Sequence, residues 1–520
     1  MKILLVAPNI TTFGTDTTDP GLTPPLGLCY LAGYLRKKDS SLDISILDCI
    51  AASKKRKIRL ENGNRWGLTD QEIISKIKEK DPEIIGITCS FTSYAYDVHH
   101  LASLIKQTNR KTKVIIGGAH ASIYPDILLK DKNIDVVVKG EGELTFLELI
   151  TNLKNNKSVE NIKGTIIRSK DKIKINPPRE MSIELDELPF PARDLIPMDL
   201  YLSQKSEYSM RHPYTQVITS RGCPGICKFC SIHSVWGHKW KMRSPKNIVD
   251  EVQMLVKDYG VKEVHFIDDN IGASPKRLEE ICDEIIRRNL KIKWATPNGI
   301  AHWTLNKKIL KKMKKAGCYR ITFGIESADP ETRKFIGKPY NLDQAKDMLK
   351  EAHKLGIWTV CTFILGFPYE TKESIMKTID FAKYKYLDFG IYYLLGVFPG
   401  TPIYDIYKKE GLLNFDHLFY SYNESKWSQY EKISKVLSSH GTKSKNLSEE
   451  QLREYLALSY KVTMKATLRK FINPFRLMTK INSLEDVRYV LKLFKNYSNM
   501  IQNYIVNKGF HVYMIRKKKK

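Results

Sequence analysis

Three cysteines crowded into eight residues constrain this chain more than any other feature of its sequence. Cys223, Cys227 and Cys230 follow the spacing Cys-x3-Cys-x2-Cys. The run 215–218 predicts a strand before them, and the glycines and proline among the thiols predict a loop. Three thiolates on one short loop can each bind an iron of a [4Fe–4S] cluster and leave the fourth iron open. An open iron indicates a chemical role, because a cluster that only carries electrons normally has four cysteine ligands.

The same thiols could instead hold zinc or form disulfides. A structural zinc site closes a tetrahedral shell of four Cys or His ligands, and His233 or His238 would complete a Cys3His set. A non-catalytic iron–sulfur or zinc binding module is therefore the alternative from another functional class. Disulfides are disfavoured, because the chain has 9 cysteines, an odd number, and its first residues do not read as a secretory signal. We therefore expect a cytoplasmic location.

The cysteine motif and the Ser220-Arg221-Gly222 before it resemble the signature of the radical S-adenosylmethionine superfamily. In that superfamily the amino and carboxylate groups of S-adenosylmethionine bind the open iron, and reductive cleavage gives a 5′-deoxyadenosyl radical. The resemblance implies an enzyme with a [4Fe–4S] cluster and S-adenosylmethionine as cofactors. It also implies a reductant protein such as flavodoxin or ferredoxin. The cofactors would supply the radical chemistry, and the protein would position and shield them.

A chain of 520 residues exceeds what one hydrophobic core normally supports, so two or three domains are expected. The patterns predict a first domain over 1–155, a connector over 156–205, a second domain over 206–415 and a basic, mostly helical region over 416–520. No run of uncharged apolar residues is long enough for a transmembrane helix.

The first domain alternates short apolar runs with helical patterns. Buried strands are predicted at 3–6, 44–47, 84–88, 114–116 and 136–138. Helices are predicted at 26–35, 70–80, 94–107 and 123–129. This βαβ order predicts a doubly wound, Rossmann-like parallel sheet that binds ligands at the carboxyl ends of its strands. No Gly-x-Gly-x-x-Gly fingerprint opens a helix, so a nicotinamide dinucleotide is not favoured.

Glycine-based motifs at those strand ends resemble the cobalamin-binding domain that precedes many radical S-adenosylmethionine enzymes. The matching stretches are Pro24-Pro25-Leu26-Gly27-Leu28, Gly117-Gly118-Ala119-His120 and Gly140-Glu141-Gly142-Glu143. Glycine lets a large ligand approach the backbone closely. The residues that the resemblance assigns to a cobalamin site are Pro25, Gly27, Ser90, Gly117, Gly118, His120, Glu141 and Gly142.

One loop departs from that family's pattern. Many cobalamin domains carry Asp-x-His-x-x-Gly after the second strand, where the His binds cobalt from below. Here the stretch begins at Asp48, with Ile50 at the His position and Ser53 at the Gly position. Cobalt should therefore lack a His ligand from this loop, as in many of the radical enzymes. The alternative to a cobalamin-binding domain is a domain of the same fold with a purely architectural role.

The second domain continues the alternation after the cluster loop. Strands two to six are predicted at 264–267, 292–295, 320–325, 359–365 and 390–395. Helices are predicted at 245–258, 275–289, 305–315, 342–354 and 372–385. Six βα units predict a partial (β/α)6 barrel of the TIM type, with reactive loops at the carboxyl ends of its strands. The connector before it carries a hairpin pattern over 164–175.

Later strands of this barrel end in motifs that the resemblance assigns to S-adenosylmethionine. Strand two ends at an aspartate pair that would meet the amino group. Strand four ends at a glutamate that ribose hydroxyls would partner, and strand five ends at a glycine on an apolar edge that suits adenine. The residues assigned in this way are Asp268, Asp269, Glu326, Ser327, Ile364 and Gly366. Read alone, the aspartate pair could equally be a turn or helix-capping cluster.

The region from Asp416 onward is strongly basic, with 21 Lys and Arg against 8 Asp and Glu in a chain of net charge +28. Ser448 begins a capping-box sequence, and apolar residues at every fourth position from Leu452 to Leu468 predict an amphipathic helix that Pro474 ends. Peripheral contact with the inner face of a membrane would fit this charge. Nucleic acid is the less favoured partner, because the sequence carries no recognisable RNA-binding pattern. A helical cap over the barrel is the alternative.

Together the two resemblances imply a cobalamin-dependent radical S-adenosylmethionine methyltransferase. The expected reaction methylates an unactivated carbon of a lipid, tetrapyrrole or natural-product substrate. One S-adenosylmethionine would methylate cobalt, and another would give the radical that removes hydrogen from the substrate. A ring-forming or rearrangement reaction, as in relatives that build tetrapyrrole rings, stays open, since the shared motifs do not shape the substrate.

Overall fold

The computed structural model describes residues 1–13, 19–61, 63–169, 172–180, 183–206, 208–338, 340–413 and 443–506. The chain divides into two units. The first takes 1–204 and 233–237, and the second takes the described parts of 205–232, 238–415 and 439 onward. Among the described residues, no helix is both long and apolar enough to cross a membrane. The basic end of the chain at 516–520 lies outside the described ranges.

The first unit is built on a seven-stranded sheet. The strands of this unit are β1 (Lys2–Ala7), β2 (Ile10–Phe13), β3 (Asp43–Asp48), β4 (Lys57–Leu60), β5 (Gly63–Trp66), β6 (Ile84–Thr88), β7 (Lys113–Gly117), β8 (Val136–Val138), β9 (Thr165–Ser169) and β10 (Lys172–Ile175). The main sheet has the order β10-β9-β8-β7-β6-β1-β3. Its strands β8, β7, β6, β1 and β3 are parallel. This arrangement confirms the predicted doubly wound sheet.

Helices pack on both faces of that sheet. The helices up to the end of the connector are α1 (Leu26–Lys38), α2 (Cys49–Ala52), α3 (Asp70–Lys80), α4 (Ala95–Thr108), α5 (Ala119–Ile123), α6 (Pro125–Leu128), α7 (Gly142–Lys154) and α8 (Met198–Leu202). In β1, Leu4 and Val6 share a core with α3 and α4, whereas Ile3 and Leu5 share a core with α1 and α7. A strand buried on both faces has an unbroken run of apolar residues in its sequence. Such a run at 3–6 is the reason that β1 could be predicted.

Three features of this unit differ from the expectation. The helix predicted at 123–129 is two short helices, because Pro125 disfavours the helical conformation at Tyr124. The predicted hairpin pairs β9 antiparallel with β8 and so extends the main sheet. A second sheet of order β2-β5-β4 was not predicted, because its strands are four residues long and mostly polar.

The second unit contains a six-stranded parallel sheet. The strands after residue 205 are β11 (Tyr214–Val217), β12 (Ser220–Arg221), β13 (Lys241–Met242), β14 (Glu263–Phe266), β15 (Lys293–Ile300), β16 (Cys318–Glu326), β17 (Trp358–Leu365) and β18 (Phe389–Leu394). The sheet order β11-β14-β15-β16-β17-β18 follows the chain, and every neighbouring pair is parallel. This is the strand order of a partial barrel, and it brings all six carboxyl ends to one edge.

Helices alternate with these strands and continue beyond them. They are α10 (Pro245–Tyr259), α11 (Pro275–Arg287), α12 (Lys307–Lys315), α13 (Pro330–Ile336), α14 (Leu342–Lys354), α15 (Lys372–Asp380), α16 (Pro402–Lys409), α17 (Glu449–Ile472), α18 (Pro474–Met478) and α19 (Leu484–Val506), while the short α9 (Ile232–Trp236) belongs to the first unit in all but its first residue. Ser244 and Ser274 each cap the helix that follows by accepting the N–H three residues on. The short helix α13 was not predicted, and α15 ends five residues before the predicted limit.

Helix α17 packs against β18 and α15. Its Tyr460 hydroxyl donates to the carbonyl of Tyr392, and its Thr467 hydroxyl donates to the carbonyl of Asp388. Ser448 forms the predicted capping box with Gln451. The described part of the C-terminal region therefore caps the last strand of the sheet through α17, and a helical cap is the alternative that the sequence left open.

The apolar stripe predicted for α17 holds only for its first half. Leu452 and Leu456 are buried, but the buried face then moves to Ser459, Thr463, Thr467 and Phe471. A repeat of four residues turns by about 40° per step on a helix of about 3.6 residues per turn. The predicted stripe therefore rotates out of the interface, and Met464 and Leu468 are only half-buried.

Candidate active site

The three cysteines lie on the loop that follows β12, and each thiol is half-buried and free of any disulfide. Gly225 lies among them. A Cβ there would be 3.4 Å from Cys223 Sγ and 3.8 Å from Cys227 Sγ. The N–H of Gly225 donates to Cys223 Sγ at 3.4 Å. Two of the three sulfurs therefore lie next to Gly225, and all three thiols share one short loop, as the thiolate ligands of one cluster do.

The electrostatics of these thiols also suit a cluster. Burial raises the pKa of Cys227 and raises that of Cys230 to about 11, and neighbouring thiols add to both shifts. A buried thiol of this kind stays protonated until a metal takes the place of its proton. Among the described residues, no three His, Cys, Asp or Glu side chains converge on one metal ion. A cluster does not need such convergence, because each cysteine binds its own iron.

The end of β14 brings two aspartates to the cluster loop. Asp268 is buried, and its Oδ1 accepts the N–H of Thr219 at 3.0 Å and the hydroxyls of Thr219 and Ser220 at 2.6 and 2.5 Å. Its Oδ2 is buried without a hydrogen-bond donor among the described residues. Oδ2 of Asp269 accepts the N–H of Gly222 at 3.0 Å. A buried carboxylate oxygen without a donor is costly, so the amino group of a ligand fits beside Asp268.

Glu326 ends β16 with a φ of +63°, which few residues other than glycine adopt. Its Oε1 lies 3.2 Å from Nζ of Lys338, which also donates to the carbonyl of Gly324 at 3.2 Å. A Cβ on Gly324 would lie 2.7 Å from Oε1 of Glu326, so this carboxylate can fold back only over a glycine. Lys338 is also the charged group that acts most strongly on the thiol of Cys227. The ion pair therefore lies beside the cluster loop.

Ser327 and Ile364, which the sequence also assigned to S-adenosylmethionine, have surroundings that differ from each other. Ser327 is fully buried, and its hydroxyl bonds to the hydroxyl of Thr378 at 3.1 Å and accepts the N–H of Asp329 at 3.2 Å. These bonds hold the turn after β16. Ile364 packs in the same apolar cluster as Phe229, the residue before Cys230. The structure therefore brings Ile364 to the cluster loop and turns Ser327 into the protein interior.

Gly366 follows β17 with a φ of +99°. The carboxylate of Glu370 holds this turn, since its Oε2 accepts the N–H of Gly366 at 2.7 Å and that of Phe367 at 3.0 Å. Burial raises the pKa of Glu370 to about 8. The hydroxyl of Tyr407 donates to the carbonyl of Gly366. The backbone edge assigned to adenine is thus fixed by two side chains before any ligand binds.

Lys338 and Glu370 were not among the residues predicted from the sequence. Lys338 lies just beyond α13, and no local pattern connects it with Glu326, twelve residues earlier. Glu370 stands four residues after Gly366, in a turn that Pro368 marks. A carboxylate in an otherwise apolar turn was the one available signal for it.

In the first unit, the predicted glycines lie along an open edge at the carboxyl ends of the strands. A Cβ would meet no other atom within 4 Å at Gly27, Gly117, Gly140 or Gly142. Gly118, with a φ of +108°, differs because a Cβ there would lie 2.6 Å from the carbonyl oxygen of Cys89. Gly118 therefore serves the turn, and the other glycines leave space that fits a large ligand such as a corrin ring.

The other residues of this unit that the sequence assigned to cobalamin differ in position and burial. Pro25 and Glu141 immediately precede α1 and α7, and Ser90 is exposed just after β6. His120 is buried, and its Nδ1 lies 3.0 Å from Oγ1 of Thr92. Burial lowers the pKa of His120 to about 3, so this imidazole is neutral and interior.

In the loop after β3, both carboxylate oxygens of Asp48 accept hydrogen bonds from the protein. Oδ1 of Asp48 accepts the N–H of Ile50 at 2.9 Å and that of Ala51 at 3.1 Å. Its Oδ2 accepts the hydroxyl of Tyr201, from α8, at 2.7 Å. Ile50 is buried at the position where the related pattern has a metal-binding His. No metal ligand therefore comes from that position, and Tyr201 satisfies the remaining oxygen of Asp48.

Two known families match this chain. The Radical SAM superfamily matches residues 217–382, and the B12 binding domain matches residues 16–150. A protein described as an uncharacterized methyltransferase from Pyrococcus horikoshii is 35% identical over 462 residues, which are 88% of this chain and 92% of that protein. The cytidylyl-2-hydroxyethylphosphonate methyltransferase of Streptomyces wedmorensis is 34% identical over 419 residues, which are 74% of this chain and 77% of that protein.

A solved structure has the same fold. The radical S-adenosylmethionine methyltransferase TsrM from Kitasatospora setae, with cobalamin and a [4Fe–4S] cluster bound, superposes with a TM-score of 0.70 at 16% identity. The match covers 96% of this chain and 99% of that one. The two family matches, the relatives and the fold agree with one another. The chain therefore belongs to the cobalamin-binding radical S-adenosylmethionine methyltransferases, enzymes whose cofactors are a [4Fe–4S] cluster, S-adenosylmethionine and cobalamin.

Proposed function

We propose that this enzyme methylates an unactivated carbon of a small natural product. When bound, the cluster and S-adenosylmethionine supply a 5′-deoxyadenosyl radical, and cobalamin supplies a carrier for the methyl group. The observation that carries the proposal is the ion pair of Glu326 and Lys338 beside Cys227, at the edge where Asp268 keeps a buried oxygen without a donor. That edge therefore offers a negative charge for the amino group of S-adenosylmethionine and a positive charge for its carboxylate.

Each group of S-adenosylmethionine then has a partner in the chain. Oδ2 of Asp268 would accept a hydrogen bond from the amino group, and Lys338 would pair with the carboxylate. Glu326 would accept from the ribose hydroxyls, and the backbone at Gly366 would contact adenine. Glu326 and Lys338 are each only 10% exposed, so these contacts form in a site that largely excludes water, where charged hydrogen bonds are strong.

Replacing Lys338 by methionine tests the carboxylate contact. Because a hydrogen bond to a charged group is worth about 1.5–3 kcal/mol, we expect the Kd for S-adenosylmethionine to rise at least about tenfold. Equilibrium dialysis of labelled S-adenosylmethionine against the reconstituted protein measures this value. Lys334→Met, on the exposed side of α13, is the matched control and should bind normally. Equal affinity of the two variants would contradict the assigned role of Lys338.

We assign the open glycine edge of the first unit to cobalamin. Gly117→Leu should fold normally, because a Cβ at this position would have no atom within 4 Å apart from those of its two neighbours in the chain. Its side chain would occupy the space left for the corrin, so we expect at least about a tenfold weaker affinity for cobalamin. Absorbance of the cobalamin retained after gel filtration measures this loss. Ser75→Leu places the same leucine side chain at an exposed position of α3, and retention equal to that control would contradict the assignment.

The supporting parts of the proposal follow from these assignments. The cobalamin-binding domain would comprise 1–155, the connector 156–205, the radical domain 206–415 and the C-terminal region 416–520. A flavodoxin or ferredoxin would act as reductant, because cleavage of S-adenosylmethionine consumes one electron from the cluster.

A natural product is favoured as substrate because a relative 34% identical to this chain is a cytidylyl-2-hydroxyethylphosphonate methyltransferase.

The reaction type is tested with S-adenosylmethionine that carries a trideuteriomethyl group. The reconstituted enzyme is offered cytidylyl-2-hydroxyethylphosphonate, a chlorophyllide and a polyprenyl phosphate, one compound per substrate class. A product that has gained the labelled methyl group supports methylation and identifies the class. A product that has lost hydrogen without gaining the label would show ring formation and contradict the proposal.

A further inference from the structure

A cationic cavity lies at the amino-terminal end of the second unit's sheet, opposite the edge that carries the cysteines. Its volume is about 550 Å³, and its charged lining consists of Arg211, Lys262, Lys291, Glu485, Arg488 and Lys492. We call it the base cavity. Three of these residues precede β11, β14 and β15, and the other three lie on α19. Both the start of the sheet and the helical cap therefore contribute charge to it.

The one carboxylate of the base cavity is already engaged. Nε and Nη2 of Arg211 both donate to the carboxylate of Glu485, the second at 2.8 Å. Nη1 of Arg211 donates to the carbonyl of Lys291 at 2.9 Å. Glu485 therefore offsets Arg211 and leaves the rest of the lining with a surplus of positive charge.

Three cations of this lining have no partner among the described residues. Lys262, Lys291 and Arg488 are exposed, and their side chains make neither a hydrogen bond nor an ion pair within the described ranges. Elsewhere on the same unit, Lys312 pairs with Asp283 at 2.6 Å. Like charges around one concavity repel each other, and a bound anion would relieve that repulsion.

We propose that the base cavity binds a phosphate-bearing anion, at a site separate from that of S-adenosylmethionine. Its volume falls in the range of small-molecule sites, and the arginine fork and lysine ammonium groups are the side chains that recognise phosphate. The phosphate can belong to a soluble molecule or to a lipid headgroup. Leu484 and Leu491, exposed on α19 at 80% and 63%, would rest against the lipid in the second case.

Labelled pyrophosphate is the probe. Equilibrium dialysis against the cobalamin- and cluster-loaded enzyme should show one saturable site per chain, which S-adenosylhomocysteine does not displace. The triple variant Lys262→Gln, Lys291→Gln, Arg488→Gln should bind at least about tenfold more weakly, because each change removes a charge-assisted hydrogen bond. All three residues are exposed, so the fold should persist. The matched control with the same loss of charge is Lys307→Gln, Lys311→Gln, Lys350→Gln on α12 and α14, and it should bind as the wild type does.

Three results would overturn the proposal: no saturable binding by the wild type, displacement by S-adenosylhomocysteine, or equal affinity of the triple variant and the wild type. Flotation with vesicles of phosphatidylcholine, with and without phosphatidic acid, distinguishes the two sources. Flotation that needs phosphatidic acid and that pyrophosphate abolishes supports a lipid headgroup. Pyrophosphate binding without flotation supports a soluble phosphate.

Discussion

Replacing Cys223, Cys227 or Cys230 by alanine should remove most of the bound iron and reduce the formation of 5′-deoxyadenosine to less than about one thousandth of the wild-type rate. Each thiolate would hold one iron, so a variant with two thiolates cannot retain the cluster that the reaction needs. Iron and sulfide analysis, anaerobic absorbance spectra and chromatography of 5′-deoxyadenosine measure the three consequences in one sample.

Cys282→Ala is the control for this experiment. Cys282 is fully buried in α11, away from the cluster loop, so its loss should lower the stability by about 1 kcal/mol and leave the iron content unchanged. A cluster-loop variant that keeps its iron and its activity would contradict the assignment of the three thiols. Equal loss of iron from Cys282→Ala would show that the effect comes from misfolding.

Asp388→Ala should destabilise the docking of the C-terminal cap by about 3–5 kcal/mol, because it leaves two cations buried without their anion. Asp388 is 4% exposed; its carboxylate pairs with Nη2 of Arg476 and with Nζ of Lys480 at 2.9 Å. The N–H of Thr359 donates to it at 2.8 Å. Urea denaturation followed by tryptophan fluorescence measures the loss, since Trp358 lies under the ammonium group of Lys480.

The control for this second experiment is Asp380→Ala, because Asp380 is exposed and its one ion pair among the described residues is with exposed Lys383. It should change the stability by less than about 0.5 kcal/mol. The pH dependence has a definite sign. Burial raises the pKa of Asp388, but Lys480 and Arg476 outweigh it and hold that pKa below its usual 3.8. The stabilisation of the cap by ionised Asp388 is therefore complete above pH 3.8, and it is lost as the pH falls through the lower pKa that Asp388 has in the folded protein. A wild-type cap that undocks no more readily in acid would contradict this account.

The parallel strands of the seven-stranded and six-stranded sheets could be predicted, because burial on two faces leaves a continuous apolar run. The run at β1 is an example: Ile3 and Leu5 enter one core while Leu4 and Val6 enter the other. The cysteine loop was equally accessible, since its chemistry depends on spacing within eight residues. Local features of this kind are visible in one sequence.

Contacts between distant residues could not be predicted in the same way. Lys338 reaches Glu326 only because Glu326 adopts a positive φ and folds back over Gly324. Tyr201 meets Asp48 across 153 residues, and no pattern near either residue indicates that bond. The shift of the buried face along α17 was missed because an exact repeat of four suggests a straight stripe, whereas the helix rotates beneath it.

The central claim is that one chain uses the cluster, S-adenosylmethionine and cobalamin together for methyl transfer. Anaerobic reconstitution with cobalamin and labelled S-adenosylmethionine, scoring 5′-deoxyadenosine and S-adenosylhomocysteine separately, tests it most directly. We expect both products, with the second dependent on bound cobalamin. Cleavage to 5′-deoxyadenosine by a protein that neither retains cobalamin nor forms S-adenosylhomocysteine would contradict the claim.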